Sequence, residues 1–248
     1  MKVSIITVSF NASKTIRDTI ESVISQKGVD IEYILVDGNS TDGTQDIIRS
    51  YGEKISKFIS EPDNGIYDGM NKGVSLASGD IIGILNADDV YAYDEVLKDI
   101  ISVFKSDVEG VYADLVYVAE DDLSKVKRTW VSKSYVHGSF RKGWMPPHPT
   151  FFVKREVYEK YGSYTLQLRS AADYEFMLRV IHKNEIKVGY LNKVIVRMRV
   201  GGTSNASLKN RVKANKEDKI AWKMNGLKPA PFTMIRKPLS KIGQFFKR

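Results

Sequence analysis

Ile81-Ile82-Gly83-Ile84-Leu85-Asn86-Ala87-Asp88-Asp89 decides how the rest of the chain is read. Its first five residues are apolar but for one glycine. So short a run fits a strand covered on both faces. Two adjacent acids follow at once. Carboxylates at the exit of such a strand lie where open α/β sheets bind their ligands. Hard cations prefer carboxylate oxygen, and magnesium is commonly held by one or two carboxylates together with substrate phosphates. The stretch therefore points to a strand that presents a metal-bound nucleoside diphosphate at the top of a sheet. The plainer alternative is an acidic turn whose Asp89 caps the following helix.

The residues before this stretch supply the rest of such a sheet. Val3 to Val8 is β-branched and apolar, a first strand. Asn11-Ala12-Ser13 offers capping groups to a helix with Ile16, Ile20, Val23 and Ile24 at helical spacing, ended by Gly28. Ile31 to Val36 is a second buried strand. It closes on a polar loop, Asp37 to Thr44, that ends in a cap for a helix carrying Ile47 and Ile48. Lys57 to Ser60 is a short third strand, Glu61 to Ile66 a turn, and Tyr67 to Ala77 a helix stopping near Gly79. The order β-α-β-α-β-α-β predicts a parallel, doubly wound sheet.

Beyond Asp89, a helix takes Val96, Leu97, Ile100, Ile101 and Phe104. Val111 to Val118 and Val126 to Val131 read as paired strands around the acidic turn Glu120-Asp121-Asp122. Ser134 to Pro149 is rich in Gly, Pro and aromatic residues without periodicity. A loop of that length in a compact domain is commonly functional. Phe151 to Val153 is a short strand, Ala172 to Ile181 a helix, and Ile186 to Tyr190 and Val194 to Val200 are strands. A long charged helix opens at Ser204-Asn205, runs through Asn225 and ends at Gly226. Ile235, Leu239, Ile242, Phe245 and Phe246 then recur at helical spacing among Arg and Lys.

Composition bounds the function. The 248 residues are 42% hydrophobic, enough for a full core in one large domain. There is no Cys, which excludes disulfide and thiolate chemistry. Met1-Lys2-Val3-Ser4 leads straight into a strand, so no secretory leader is expected. No stretch approaches the ~20 apolar residues of a spanning helix. The net charge of +8 is unevenly placed. Residues 203–248 hold 12 Lys and Arg against 2 Asp and Glu, whereas the preceding residues hold 26 against 28. A near-neutral body with a basic amphipathic tail predicts an anionic surface as the tail's partner.

Five motifs in order resemble one family: Val3-Ser4-Ile5-Ile6-Thr7-Val8-Ser9-Phe10-Asn11; Val36-Asp37-Gly38-Asn39-Ser40-Thr41-Asp42-Gly43-Thr44; Glu61-Pro62-Asp63-Asn64-Gly65-Ile66-Tyr67-Asp68-Gly69-Met70-Asn71-Lys72-Gly73; Asn86-Ala87-Asp88-Asp89; and Ala171-Ala172-Asp173-Tyr174-Glu175-Phe176-Met177-Leu178-Arg179. Together they resemble the inverting family 2 glycosyltransferases, in particular a subgroup that builds bacterial exopolysaccharide and capsule. The likeness covers roughly residues 1–200. It implies the α/β GT-A fold, a doubly wound, mostly parallel sheet with a C-terminal helical tail. Residues 1–90 would form a Rossmann-like nucleotide-sugar half, 91–202 an acceptor half, and 203–248 the basic tail.

The resemblance also implies roles. Thr7, Ser9, Phe10, Asp37, Asp63, Asn71 and Asp88 match the nucleotide-sugar site. Phe10 would stack on the base, and Asp37 would accept from its imide N–H. Packing in the core and an Asx turn are the respective alternatives. Asp88, with Asp89, would hold a divalent ion, Mn2+ or Mg2+, on the diphosphate. Asp173 matches the general base that deprotonates the acceptor hydroxyl. The spacing Ser170 to Asp173 equally fits a capping box. Trp144 and His148 fall on the acceptor side, where purely structural roles are also open. The chain departs from the family pattern at Asn86, Gly38 and Met70, where the first acid, a second Asp and an Arg are usual; Lys72 could compensate for the last.

The expected reaction moves a sugar from a nucleotide-diphosphate donor, favouring a UDP-sugar, to a lipid-linked or polysaccharide acceptor. The enzyme would sit in the cytoplasm, peripheral on the inner face of a bacterial cytoplasmic membrane. Two other classes compete. A sugar-nucleotide nucleotidyltransferase would need a Gly-rich phosphate loop, but Phe10 to Thr15 has no glycine. A non-catalytic nucleotide-sugar or nucleic-acid module would need a basic stripe outside the tail, and none is legible.

Overall fold

The computed structural model describes residues 1–105, 107–201, 208–231 and 233, with only the backbone of 208–215. The terminal amphipathic helix expected between Ile235 and Phe246 lies outside the described residues. In chain order the elements are β1 (Lys2–Ser9), α1 (Ile16–Ile24), β2 (Asp30–Asp37), α2 (Thr44–Arg49), β3 (Lys57–Ser60), α3 (Ile66–Leu76), β4 (Ile81–Ile84), β5 (Val90–Tyr91), α4 (Val96–Val103), β6 (Gly110–Val118), β7 (Val126–Trp130), β8 (Phe152–Lys154), α5 (Arg155–Tyr161), α6 (Ala172–Met177), β9 (Val188–Arg199) and α7 (Leu208–Met224). A π-helical stretch, Leu178–Lys183, continues α6.

One continuous sheet runs β3-β2-β1-β4-β8-β6-β9-β5, with β7 also on β6. The first four strands are parallel; β1, β2 and β4 carry the buried apolar runs, and β3 is a half-buried edge strand. Beyond β4 the sheet is mixed. Three-residue β8 is antiparallel to both β4 and β6 and joins the halves. Gly83 lies opposite Phe152, whose ring fills the space a side chain would take: a Cβ there would meet Cε1 at 2.3 Å. On β6, β8 reaches only Gly110 and Val111, and β7 pairs with β6 from Leu115 onward.

The two strands expected over 186–200 are one. Ala113 pairs with Leu191 but Asp114 pairs with Val194, so residues 192–193 bulge out of register. The bulge breaks the apolar period and makes one strand read as two. Neither β5 nor α5 has a sequence signal of its own.

The polar residues after β1 and β2 do not cap helices. α1 and α2 begin at Ile16 and Thr44 without side-chain caps. Instead the two loops tie to each other. Thr41 N donates to Asn11 Oδ1 (3.0 Å), Ala12 N to Thr44 Oγ1 (2.8 Å) and Ser13 N to Asp42 Oδ2 (3.0 Å). The backbone of α3 sits directly on the side chains of β1. A Cβ at Gly69 would lie 2.6 Å from Val8 Cγ1, and one at Gly73 2.3 Å from Ile6 Cγ2.

At the opposite end of the strands, Glu32 is buried among donors. Ser4 Oγ donates to it at 2.6 Å, Ser78 N at 2.7 Å and Ser78 Oγ at 2.8 Å, and Lys57 lies at 3.1 Å. Burial alone would raise its pKa, but these partners outweigh it and hold the carboxyl down at about 2.

α7 packs on α6. Ala221 and Trp222 are buried, the Trp222 indole N–H donates to Tyr174 Oη (2.8 Å), and Glu217 accepts from Ser170 N (2.7 Å). Among the described residues no helix is long and apolar enough to cross a membrane.

Gly73→Ala should cost about 1–3 kcal/mol through overpacking on Ile6, read as a lower urea midpoint. Glu32 has a folded pKa below its ordinary 4.5, so its stabilisation is full above that value and lost as the pH falls toward 2. The stability difference between the native chain and Glu32→Gln should therefore shrink by about 3 kcal/mol across that window, in thermal melts taken against pH.

Candidate active site

Parallel pairing gathers the C-terminal ends of β1, β2 and β4 on one rim. Ser9 pairs with Asp37, and Asp37 with Ser60. Asp37 is fully buried and joins the ends of β1, β2 and β3. Its Oδ1 accepts from Ser9 Oγ (2.8 Å) and Ser40 Oγ (2.6 Å), and its Oδ2 from Ser40 N (2.8 Å) and Ser60 Oγ (2.8 Å). Four donors fill a carboxylate's acceptor capacity, so a base reaching Asp37 would have to displace one of them. Thr7 lies below, buried, and its hydroxyl accepts from Tyr33 Oη (3.2 Å).

Phe10 stands out of this floor, 66% exposed. Gly38 and Asp63 are its neighbours: a Cβ on Gly38 would come within 3.3 Å of the Phe10 ring and 2.7 Å of Asp63 Oδ2. The second Asp usual at position 38 would collide here. Asp63 Oδ1 accepts from Gly65 N (2.9 Å), which turns the chain into α3.

α3 carries the donor rim to the second half of the molecule. Tyr67 Oη donates to Asp173 Oδ1 at 2.9 Å. One turn on, Asn71 clamps the backbone of Tyr164: its Nδ2 donates to Tyr164 O (2.8 Å), and Tyr164 N donates to its Oδ1 (2.9 Å). The Tyr164 ring stacks on Tyr67 at 5.8 Å and meets His148 edge-on at 6.1 Å. Burial holds His148 below its ordinary 6.5, against the pull of the Asp173 charge. Lys72 is engaged elsewhere, with Pro62 O (2.9 Å) and Glu61 (2.8 Å).

Asp173 is not a cap. α6 has Ala171 at its N-cap and no side-chain cap bond, and the Ser170 backbone is held by α7. Topology puts this cluster on the same rim as the acids. β8 runs antiparallel to β4, so the turn His148–Thr150 that leads toward β8 lies at the exit of β4.

The loop after β4 is short of positive charge. Asp88 is half-buried and Asp89 fully buried. Burial raises the pKa of Asp88; burial and then the Asp88 charge raise that of Asp89 further. Asn86 Nδ2 donates to Asp89 Oδ2 (3.1 Å), yet Asn86 Oδ1 and Asp89 Oδ1 are buried with no hydrogen-bond partner. Two orphaned oxygens beside a strained acid pair are a donor set that suits a hard cation. Among the described residues no cluster of three His, Cys, Asp or Glu could hold a metal alone; a cation here would draw further oxygens from substrate phosphate. Asp89 does not cap α4, which begins only at Val96.

Arg199, at the end of β9, braces this loop. It donates to Asp88 O (2.7 Å) and Glu120 O (3.1 Å) and pairs with Asp18. Arg199 and Tyr164 lie in none of the motifs, and Tyr67 lies in the third without a role drawn from it. Trp144 lies in an aromatic cluster, its indole N–H on Ser132 O (2.7 Å) and its ring edge-on to Tyr112 and Phe140.

Comparison with known proteins fits this geometry. Residues 4–174 match the model of glycosyl transferase family 2. An uncharacterized glycosyltransferase of Mycobacterium tuberculosis is 31% identical over 179 residues, 71% of this chain and 68% of its own length. A PGL/p-HBAD biosynthesis glycosyltransferase of Mycobacterium bovis is 29% identical over 207 residues, 82% of this chain and 78% of its own. Among solved structures, S. aureus TarS residues 1–349 with UDP-GlcNAc superposes with a TM-score of 0.72 at 18% identity, over 91% of this chain and 65% of that one. The mannosyltransferase PcManGT of Pyrobaculum calidifontis, with GDP-Man and Mn2+, gives 0.70 at 18%, over 94% and 67%. With the parallel half, the acid loop after β4 and a family match over most of its length, the chain belongs to the family 2 glycosyltransferases and has their GT-A fold.

Proposed function

We propose that the chain transfers a sugar from a nucleoside-diphosphate sugar to an alcohol, with inversion at the anomeric carbon. The observation that carries this reading is that Asp173, held by Tyr67, lies on the rim that also bears the Asn86–Asp89 loop. The acceptor oxygen attacks the anomeric carbon opposite the diphosphate. Its proton passes to Asp173, and the electron pair of the broken C–O bond leaves on the diphosphate. Phe10 offers its exposed face to the base, with Asp63 as the carboxylate beside it and Asp37, Ser9 and Thr7 fixing the floor. Asn71 joins the donor rim to Tyr164.

A divalent ion, when bound, supplies Lewis-acid neutralisation of the leaving diphosphate. Asp88 is the accessible ligand for it, with Asp89 and Asn86 behind. His148 meets the substrate as a neutral ring, since burial keeps its pKa low. Trp144 walls the acceptor loop. The complexes of one structural neighbour with UDP-GlcNAc and of another with GDP-Man and Mn2+ support a nucleotide-sugar donor, a UDP-sugar first, and Mn2+ or Mg2+.

For the acceptor we favour a lipid-linked or growing cell-surface glycan, as in exopolysaccharide or capsule, and a peripheral position on the cytoplasmic face of a membrane. The outer face of α7 supports this: Lys216, Lys219, Ile220, Lys223 and Met224 are exposed on one stripe, ahead of a basic C-terminal sequence. In this reading 1–202 is the catalytic unit and 203–248 its membrane-facing extension.

A panel of nucleotide-sugars, scored by thermal stabilisation with and without Mn2+, should identify the donor. Asp88→Ala should lose the Mn2+-dependent part of that stabilisation. Asp173→Asn should keep donor binding and lose about 100-fold or more in kcat. Donor turnover undiminished in both variants would exclude the mechanism. Phe10→Ala should weaken nucleoside-diphosphate binding about 5- to 150-fold by calorimetry, the worth of one stacked base.

A further inference from the structure

We propose that Tyr67 is a positioning residue for the transfer step: its hydroxyl holds Asp173 Oδ1 so that Oδ2 meets the acceptor hydroxyl. The inference rests on Asp173 being the base.

Three observations carry it. First, the contact is specific and buried. Tyr67 is 9% exposed, and its hydroxyl donates to Asp173 Oδ1 at 2.9 Å. Among the described residues Asp173 Oδ2 accepts no hydrogen bond, so one carboxylate oxygen is fixed and the other is left for the proton. Second, the tyrosine has no freedom to leave. Its ring is stacked on Tyr164, whose backbone Asn71 grips through both amide atoms, and α3 is pressed onto β1 at Gly69 and Gly73. Third, the hydroxyl stays a donor. Burial, and then the Asp173 charge, push its pKa well above 10, so it is protonated across the neutral pH range.

The arrangement differs from ordinary packing in its chemistry. A carboxylate in the first turn of a helix, as Asp173 is in α6, commonly turns back onto its own N–H groups. Here it turns outward to a hydroxyl from α3. That helix begins beside the donor rim, at Asp63 and Gly65. One element thus registers both the nucleotide side and the base, and a near-attack geometry depends on that register.

Tyr67→Phe tests this, because it keeps the ring stack and removes only the hydroxyl. The expected result is a fall in kcat of about 10- to 100-fold, the worth of a hydrogen bond to a charged group. Donor KM, nucleoside-diphosphate affinity and the unfolding temperature should stay near those of the native chain. In an Asp173→Asn background the same substitution should cost almost nothing more, because the two groups act as one unit. An unchanged kcat in Tyr67→Phe alongside an inactive Asp173→Asn would overturn the proposal and leave Asp173 as the base. A fully active Asp173→Asn would instead remove the reading beneath it. A rise in donor KM with kcat unchanged would assign Tyr67 to donor binding and also overturn the proposal. Should Tyr67→Phe fold poorly, Asp173→Glu displaces the carboxylate from the hydroxyl; full kcat in that variant would refute it.

Discussion

The contact between α3 and β1 sets most of what matters in this molecule. Two glycines one helical turn apart bring the helix axis to within a side chain's width of the first strand. Helices normally stand off a sheet by the thickness of their own side chains, and closing that gap fixes both rotation and height. Rotation points Tyr67 and Asn71 at the acceptor half. Height puts the first turn at the level of the strand ends, beside Gly38 and Asp63. A helix held by larger residues could make neither contact without moving the other.

The same economy governs the donor floor. Asp37 is buried without a cationic partner among the described residues, and four hydroxyl and amide donors converge on it instead. The loop after β4 shows the contrary condition. There two acids sit side by side with oxygens left unpaired, and Arg199 reaches the Asp88 backbone carbonyl with its guanidinium. The first carboxylate cluster is complete in its hydrogen bonds; the second, with the uncompensated oxygens of Asn86 and Asp89, has the chemistry that favours a cation.

Much of this was legible in the residues. Unbroken apolar runs such as Ile5-Ile6 and Ile81-Ile82 could only be interior parallel strands, and the acids after Leu85 marked the rim. What could not be read was which partner a polar residue would choose. Asn11, Asp42 and Thr44 have the chemistry of helix caps, but two loops lay close enough to satisfy each other, and tertiary proximity won. Ser170 and Asp173 have the spacing of a capping box, yet the first is taken by α7 and the second by Tyr67. The break at 192–193 followed from a bulge that only the register with β6 reveals. Arg199 carries no local signal, because its three partners are 79, 111 and 181 residues away in the chain.

Phe152 lying over Gly83 has a wider consequence. The strand that carries it is three residues long, yet it joins the parallel and the mixed halves of the sheet into one continuous surface. On the proposed mechanism, the span between leaving group and proton acceptor is then a property of the scaffold. Descendants of this chain can therefore exchange one sugar or one alcohol for another by rewriting the loops above the rim, while the span across which the bond is made stays inherited.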